Sequence, residues 1–218
     1  MDIYGPPTKA LGDCWAFINM LCHKSIQSKE AISCSKFASN PVNRMHGKKI
    51  SAETKLKEIL SDLDYGEARI KFVDDMSTTF VPVEVCFKSP YLPTKVKWTG
   101  GKSIVHQLIN GQQPANCPRC PPKHHHDAIM NWVSNHENKR LGLPMSLEEC
   151  IQAAAGAALF IGMDSGMSHV CHSLGVPVIL YDWSRLDEFH HEKKFSRFKT
   201  ADEAIGIMQG IMAQIPSP

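Results

Sequence analysis

The chain has 218 residues and a mass of 24.3 kDa, which suits one large domain or two small ones. Lys plus Arg number 24 against 22 Asp plus Glu, and a net charge of +2 supplies no basic face for dedicated nucleic-acid binding. No apolar run approaches the roughly 20 residues needed to cross a bilayer, so no transmembrane segment is expected. Met1-Asp2-Ile3-Tyr4-Gly5-Pro6-Pro7 lacks the basic and apolar regions of a secretory signal. Eight Cys are too few for a disulfide scaffold, and without an export signal they read as reduced thiols of a cytoplasmic protein.

In chain order, Asp2 to Ala10 carries two prolines and admits only a short strand or extended arm. Gly12 permits a tight entry and Asp13 offers an N-cap for the apolar stretch Trp15 to Leu21, read as a helix. Glu30 to Phe37 is a candidate strand. Ser51-Ala52-Glu53-Thr54 opens an amphipathic helix with Leu56, Ile59, Leu60 and Leu63 at helical spacing, ended by Gly66. Arg69 to Asp75 and Phe80 to Phe87 read as strands, the second alternating around Val81, Val83 and Val85. Ser89-Pro90-Tyr91-Leu92-Pro93 resembles a linker, dividing the chain into domains 1–90 and 91–218.

The second part starts with a predicted strand, Thr94 to Trp98, a turn at Gly100-Gly101-Lys102-Ser103 and a short helix, Ile104 to Ile109. A Gly-, Pro-, Cys- and His-rich loop, Asn110 to His126, leads to a helix over Asp127 to His136. Ser146-Leu147-Glu148-Glu149 is a capping box before a helix from Cys150 to Ala158. Leu159 to Gly162 reads as a buried strand, Asp164-Ser165-Gly166 as a turn, and Ser168 to Leu174 as a helix ended by Gly175. A second buried strand, Val176 to Tyr181, and a final helix, Ala201 to Ile215, follow. Strands alternating with helices predict an α/β fold with parallel strands.

A turn from a parallel strand into a helix is where doubly wound folds bind ligands. Gly166 lets a ligand approach the backbone, and the free N–H groups and dipole of the next helix suit a phosphate or diphosphate. Ser165 and Ser168 offer hydroxyl donors, and His169 can donate to a phosphate or sugar oxygen. The same residues also read as a plain helix cap, as does Asp13 at its own helix.

Ala157 to Val170, with Leu174-Gly175-Val176-Pro177-Val178, resembles the C-terminal motif of the heptosyltransferase-like family 9 glycosyltransferases: an apolar strand, G-x-D-[ST]-G-x-x-H, a helix, then LGVP and a strand. Leu11-Gly12-Asp13 before an apolar helix resembles the family's N-terminal LGD motif. The resemblance implies two Rossmann-like domains facing a cleft, a compact GT-B-like arrangement. It implies an inverting, metal-independent, hexosyl- or heptosyltransferase-like enzyme with no required cofactor, using a nucleoside-diphosphate sugar. The acceptor (a glycan, lipid or small molecule) is not identified. Asp13 maps onto the general base, which an alcohol needs to attack an anomeric carbon. Gly12, Lys102, Asp164, Ser165, Gly166, Met167, Ser168 and His169 map onto the nucleotide-sugar site, where helix amides stabilise the leaving diphosphate. The chain departs from the family in being short, in replacing the first strand with a Pro-Pro segment, and in offering Lys102 as only an approximate counterpart of the phosphate-contacting lysine. The alternative is a non-catalytic module that binds a sugar nucleotide or phosphate.

Cys117, Cys120 and His124 offer part of a tetrahedral zinc site, against the reading of incidental loop residues. His190-His191 between Glu188 and Glu192 reads as solvated charge rather than a metal face. Cys14, Cys22, Cys150 and Cys171 read as core, and Trp15, Trp98, Trp132, Trp183 and Tyr181 as core or site lining.

Overall fold

The computed structural model describes residues 3–6, 10–36, 52–74, 79–109, 117–142, 144–184, 186–189 and 195–215. The chain divides into two units, Met1–Lys95 with Glu188–Glu192, and Val96–Asp187 with Lys193–Pro218. Each carries its own parallel sheet with helices, so the expected α/β class with two Rossmann-like units is borne out.

The first unit runs β1 (Ile3–Gly5), α1 (Leu11–Ser28), β2 (Ile32–Ser35), α2 (Ala52–Asp62), β3 (Ile70–Val73), β4 (Thr79–Phe80) and α3 (Val83–Cys86). Its strands lie in the order β3-β2-β1-β4, all parallel. The family's first strand is therefore present rather than replaced: β1 pairs on both sides, and Pro6, which has no N–H for the ladder, falls just beyond it. α1 is apolar almost all round from Cys14 to Cys22 and accordingly buried there, with Trp15, Phe17, Ile18 and Leu21 fully enclosed. Asp13 does not cap it. The N-cap is Ala10, whose carbonyl accepts the Cys14 N–H at 3.0 Å, and Asp13 sits inside the first turn.

Three further expectations change in this unit. α2 ends at Asp62, so Gly66 (φ 55°) belongs to a later turn. The strand expected over Phe80 to Phe87 stops at Phe80, the last residue of β4. Pro82 cannot donate to a ladder, and its carbonyl instead accepts the Val85 N–H at 3.0 Å to start the single turn of α3. Ser89 to Pro93 is no free linker. The buried Asn19 side chain accepts the Leu92 N–H at 2.6 Å, His23 bonds the Pro90 carbonyl, and Asp64 N–H bonds the Pro93 carbonyl. Thr94 forms an isolated antiparallel bridge to Leu63.

The second unit runs β5 (Ser103–Gln107), α4 (Lys123–Val133), β6 (Asn138–Arg140), α5 (Leu147–Ala155), β7 (Ala157–Gly162), α6 (Gly166–Leu174), β8 (Val178–Tyr181), α7 (Leu186–Phe189, assigned in part to the first unit), β9 (Ser196–Phe198) and α8 (Ala201–Ala213). The order β6-β5-β7-β8-β9 is parallel throughout. Ile104 to Ile109 was expected as a helix. Ile104 and Val105 are instead buried in β5, where β-branched residues suit a strand covered on both faces. Thr94 to Trp98 forms no strand. Trp98 Nε1 donates to the Ala157 carbonyl at 2.7 Å, and Thr99 N–H to that of Ala155 at 3.0 Å, so this stretch is held along the end of α5. The Ser146–Glu149 capping box forms as expected, with both reciprocal bonds made. β7 is buried at all six residues, and its Leu159 and Ile161 share one core with Ile179, Phe198, Ala204 and Met208.

Candidate functional site

In the second sheet the chain leaves β5 for β6 on one side, then returns to β7 on the other. The carboxyl ends of β5 and β7 therefore flank the point where the winding reverses, the place where open α/β sheets leave a crevice for ligands. Gln107 ends β5 there, and the turn 163–165 connects β7 to α6 there.

The turn is tightly bonded. Ser165 is the extended N-cap of α6, and its N–H donates to Ser168 Oγ at 3.2 Å. Ser168 Oγ donates back to the Ser165 carbonyl at 2.7 Å, and Ser165 Oγ donates to Gln107 Oε1 at 2.6 Å. Both hydroxyl hydrogens expected to face a ligand are thus used inside the protein. The donors left in the first turn are backbone ones. Ser168 N–H reaches the Ser165 carbonyl at 3.1 Å, whereas the N–H groups of Gly166 and Met167 precede any carbonyl their own helix can offer. Ser165 and Gly166 are half-buried, while the Met167 side chain is buried. The turn is a helix cap and a candidate anion site at once.

Asp164 and His169 are 4% and 2% exposed, and Oδ1 and Nε2 lie 3.4 Å apart. His169 therefore faces Asp164 rather than solvent. Separating two such buried partners is costly, because each would be left desolvated.

Lys102 is not brought to this rim. It precedes β5, whereas the turn follows β7, and the two strands run parallel from Ser103↔Ala157 to Gln107↔Gly162. Lys102 thus lies at the opposite end of the sheet. In the first unit, Gly12 (buried) and Asp13 (half-buried) lie in the first turn of α1, which follows the carboxyl end of β1. β1 is the strand beside which that sheet's winding reverses, so Asp13 occupies the equivalent topological place in its own unit. A recess of about 360 Å³ beside Ala31, Leu60, Tyr65 and Arg69 is at the amino ends of β2 and β3, away from Asp13.

Gln107 was hidden in the sequence by the helical reading of its segment. The β-branched pair Ile104-Val105 after two glycines was the available signal. Cys117, Cys120 and His124 do not assemble a zinc site: among the described residues no three His, Cys, Asp or Glu gather to hold a metal ion. His124 to His126 instead open α4, where His125 Nδ1 accepts the Ala201 N–H at 3.3 Å, and Cys120 Sγ packs on Met163 Sδ at 3.6 Å. His190 and His191 lie outside the described residues. Cys14, Cys22, Cys150 and Cys171 are buried as expected. Trp15 is core, and Trp98 is held by its bond to Ala157.

The fold and the bonded turn at the reversal point define an α/β protein of the doubly wound type, built from two parallel-sheet units. Residues 110–190 match the profile of glycosyltransferase family 9 (heptosyltransferase), so the resemblance read from the G-x-D-S-G-x-x-H turn is borne out over that segment. The structure resembles the iron-containing dodecameric glycosyltransferase TibC from enterotoxigenic E. coli: 11% identity, TM-score 0.60, covering 90% of this chain and 61% of TibC. TibC in complex with ADP-D-β-D-heptose gives 13% identity and a TM-score of 0.54, again over 90% and 61% of the two chains. The E. coli ADP-heptose lipopolysaccharide heptosyltransferase II gives 11% identity and a TM-score of 0.55 over 98% of this chain and 99% of that one. The chain thus spans less than two thirds of TibC. No curated protein matches the sequence significantly. No helix among the described residues is long and apolar enough to cross a membrane.

Proposed function

We propose that the chain is a glycosyltransferase that takes a sugar from a nucleoside-diphosphate donor, with inversion at the anomeric carbon and without a metal. The carrying observation is the Asp164–His169 turn at the reversal point of the second sheet, within the segment that matches family 9. In this reading Gly166 and Met167 N–H groups and the positive end of α6 hold the diphosphate, and Asp164, oriented by His169, lies near the donor sugar. Such fixed donors stabilise the charge that grows on a departing diphosphate without rearranging during the reaction. Asp13, in the first turn of α1, accepts the proton of the acceptor hydroxyl as that oxygen attacks. The proton passes to the carboxylate, the new bond forms at the anomeric carbon, and the nucleoside diphosphate leaves with the bonding electron pair.

The complex of TibC with ADP-D-β-D-heptose makes ADP and ADP-sugars the first probes. A thermal-shift and calorimetric series with nucleoside diphosphates and their sugar conjugates should reveal a ligand that stabilises the fold. Asp13→Ala should keep the affinity for that ligand and lose transfer, and a chelator should leave both unchanged in the unaltered chain. Equal turnover by Asp13→Ala removes Asp13 from the mechanism. Binding without hydrolysis or transfer to any acceptor makes the chain a binding module instead.

A further inference from the structure

Gln107 is engaged on three sides at the crevice. Its Oε1 accepts the Ser165 hydroxyl at 2.6 Å, and its main-chain carbonyl accepts the Met163 N–H at 3.0 Å. Its Nε2 lies against Gly142 (φ 101°), where a Cβ would come within 2.9 Å. One residue earlier, the His106 carbonyl accepts the Leu141 N–H at 2.9 Å. The chain leaving β6 and the chain leaving β7 are therefore both tethered to the last two residues of β5. Both carry glycine where Gln107 comes closest, since a Cβ at Gly162 would lie 2.8 Å from the Gln107 carbonyl oxygen.

We propose that Gln107 is the positioning residue of the anion cradle. By taking the Ser165 hydroxyl hydrogen it fixes the N-cap of α6, and so fixes where the Gly166 and Met167 N–H groups aim. The inference rests on the donor reading above, because it names what orients the group that grips the diphosphate. Gln107 acts through Ser165 and not by touching the ligand, so its effect depends on the Ser165 hydroxyl being present.

The test uses the full chain, with ADP, GDP, UDP and CDP as probes in calorimetry and amide hydrogen exchange in the ligand-free state. Gln107→Leu should weaken the bound diphosphate about three- to tenfold, the span expected for one lost hydrogen bond. It should also speed exchange of the amides at 163–168. Gln107→Glu keeps an acceptor for Ser165 and should restore slow exchange. In a Ser165→Ala background Gln107→Leu should cost no further affinity, because the two residues act as one unit. Equal affinity and equal exchange in Gln107→Leu overturn the inference while the donor reading stands. So does a further three- to tenfold loss in the Ser165→Ala background. Failure of the unaltered chain to bind any of the four nucleotides overturns both.

Discussion

Gly162 closes β7 at the crevice, and adding one methyl group there tests how tightly the rim is built. A Cβ at this position would lie 2.6 Å from the Phe160 ring and 2.8 Å from the Gln107 carbonyl oxygen. Neither can withdraw easily: Phe160 is fully buried, and the carbonyl belongs to the backbone of the neighbouring strand. Gly162→Ala should therefore destabilise the second unit by about 1–3 kcal/mol, the range for overpacking a filled core. Gly210→Ala is the matched control. Gly210 lies exposed in α8 with nothing within 4 Å of its added Cβ, so alanine should stabilise by about 0.5–1 kcal/mol through helix propensity alone. Urea unfolding followed by tryptophan fluorescence reads both, because Trp98, Trp132 and Trp183 belong to the second unit and only Trp15 to the first. A change of less than about 0.5 kcal/mol for Gly162→Ala, the range of an ordinary surface substitution, would refute the packing argument.

The capping carboxylates Glu149 and Glu203 accept backbone N–H groups and are held below their ordinary value of 4.5. A lowered carboxylate contributes stability that is present above about pH 4.5 and fades as pH falls through the folded-state value. The Glu149→Gln, Glu203→Gln double variant should therefore show a flatter decline of urea midpoint with acid, and an unchanged slope contradicts this. Thiol labelling of the native chain with a maleimide should modify the half-buried Cys117 and Cys120 and spare the other six. Burial pushes the thiols of Cys14, Cys22 and Cys34 up to about 12, leaving almost no reactive thiolate. Labelling of any of these three in the folded chain, located by mass spectrometry, refutes that account.

The segment from Ser146 to Tyr181 was legible because each signal is local. The capping box is contiguous, β7 is a continuous apolar run, and Gly175 (φ 81°) marks the end of α6. β5 was not legible because Ile104 to Ile109 is short and apolar at both ends, with no period that separates strand from helix. β6 (Asn-Lys-Arg) escaped notice because it is a short, exposed, polar edge strand, and β9 (Ser-Arg-Phe) because it is three residues long with a single core residue, Phe198. Most of the turn's residues could be named from the motif, but not the use of their hydroxyls. Ser165 gives its hydrogen to Gln107, 58 positions away, and only the parallel crossover brings the two together. Lys102 was placed after an expected strand, Thr94 to Trp98, that does not form, so it leads into β5 from the opposite end of the sheet instead.

Every strand in both sheets runs parallel to its neighbours. No pair can therefore arise from a tight hairpin, and each must await a full crossover segment before its partner arrives. Either half should remain without a stable partial sheet until most of its length is available, and its refolding should be slow and concerted relative to a helical bundle of equal size. A nick between β5 and β7 would sever the longest return of the second sheet, and would cost the crevice its shape before it cost the helices their turns.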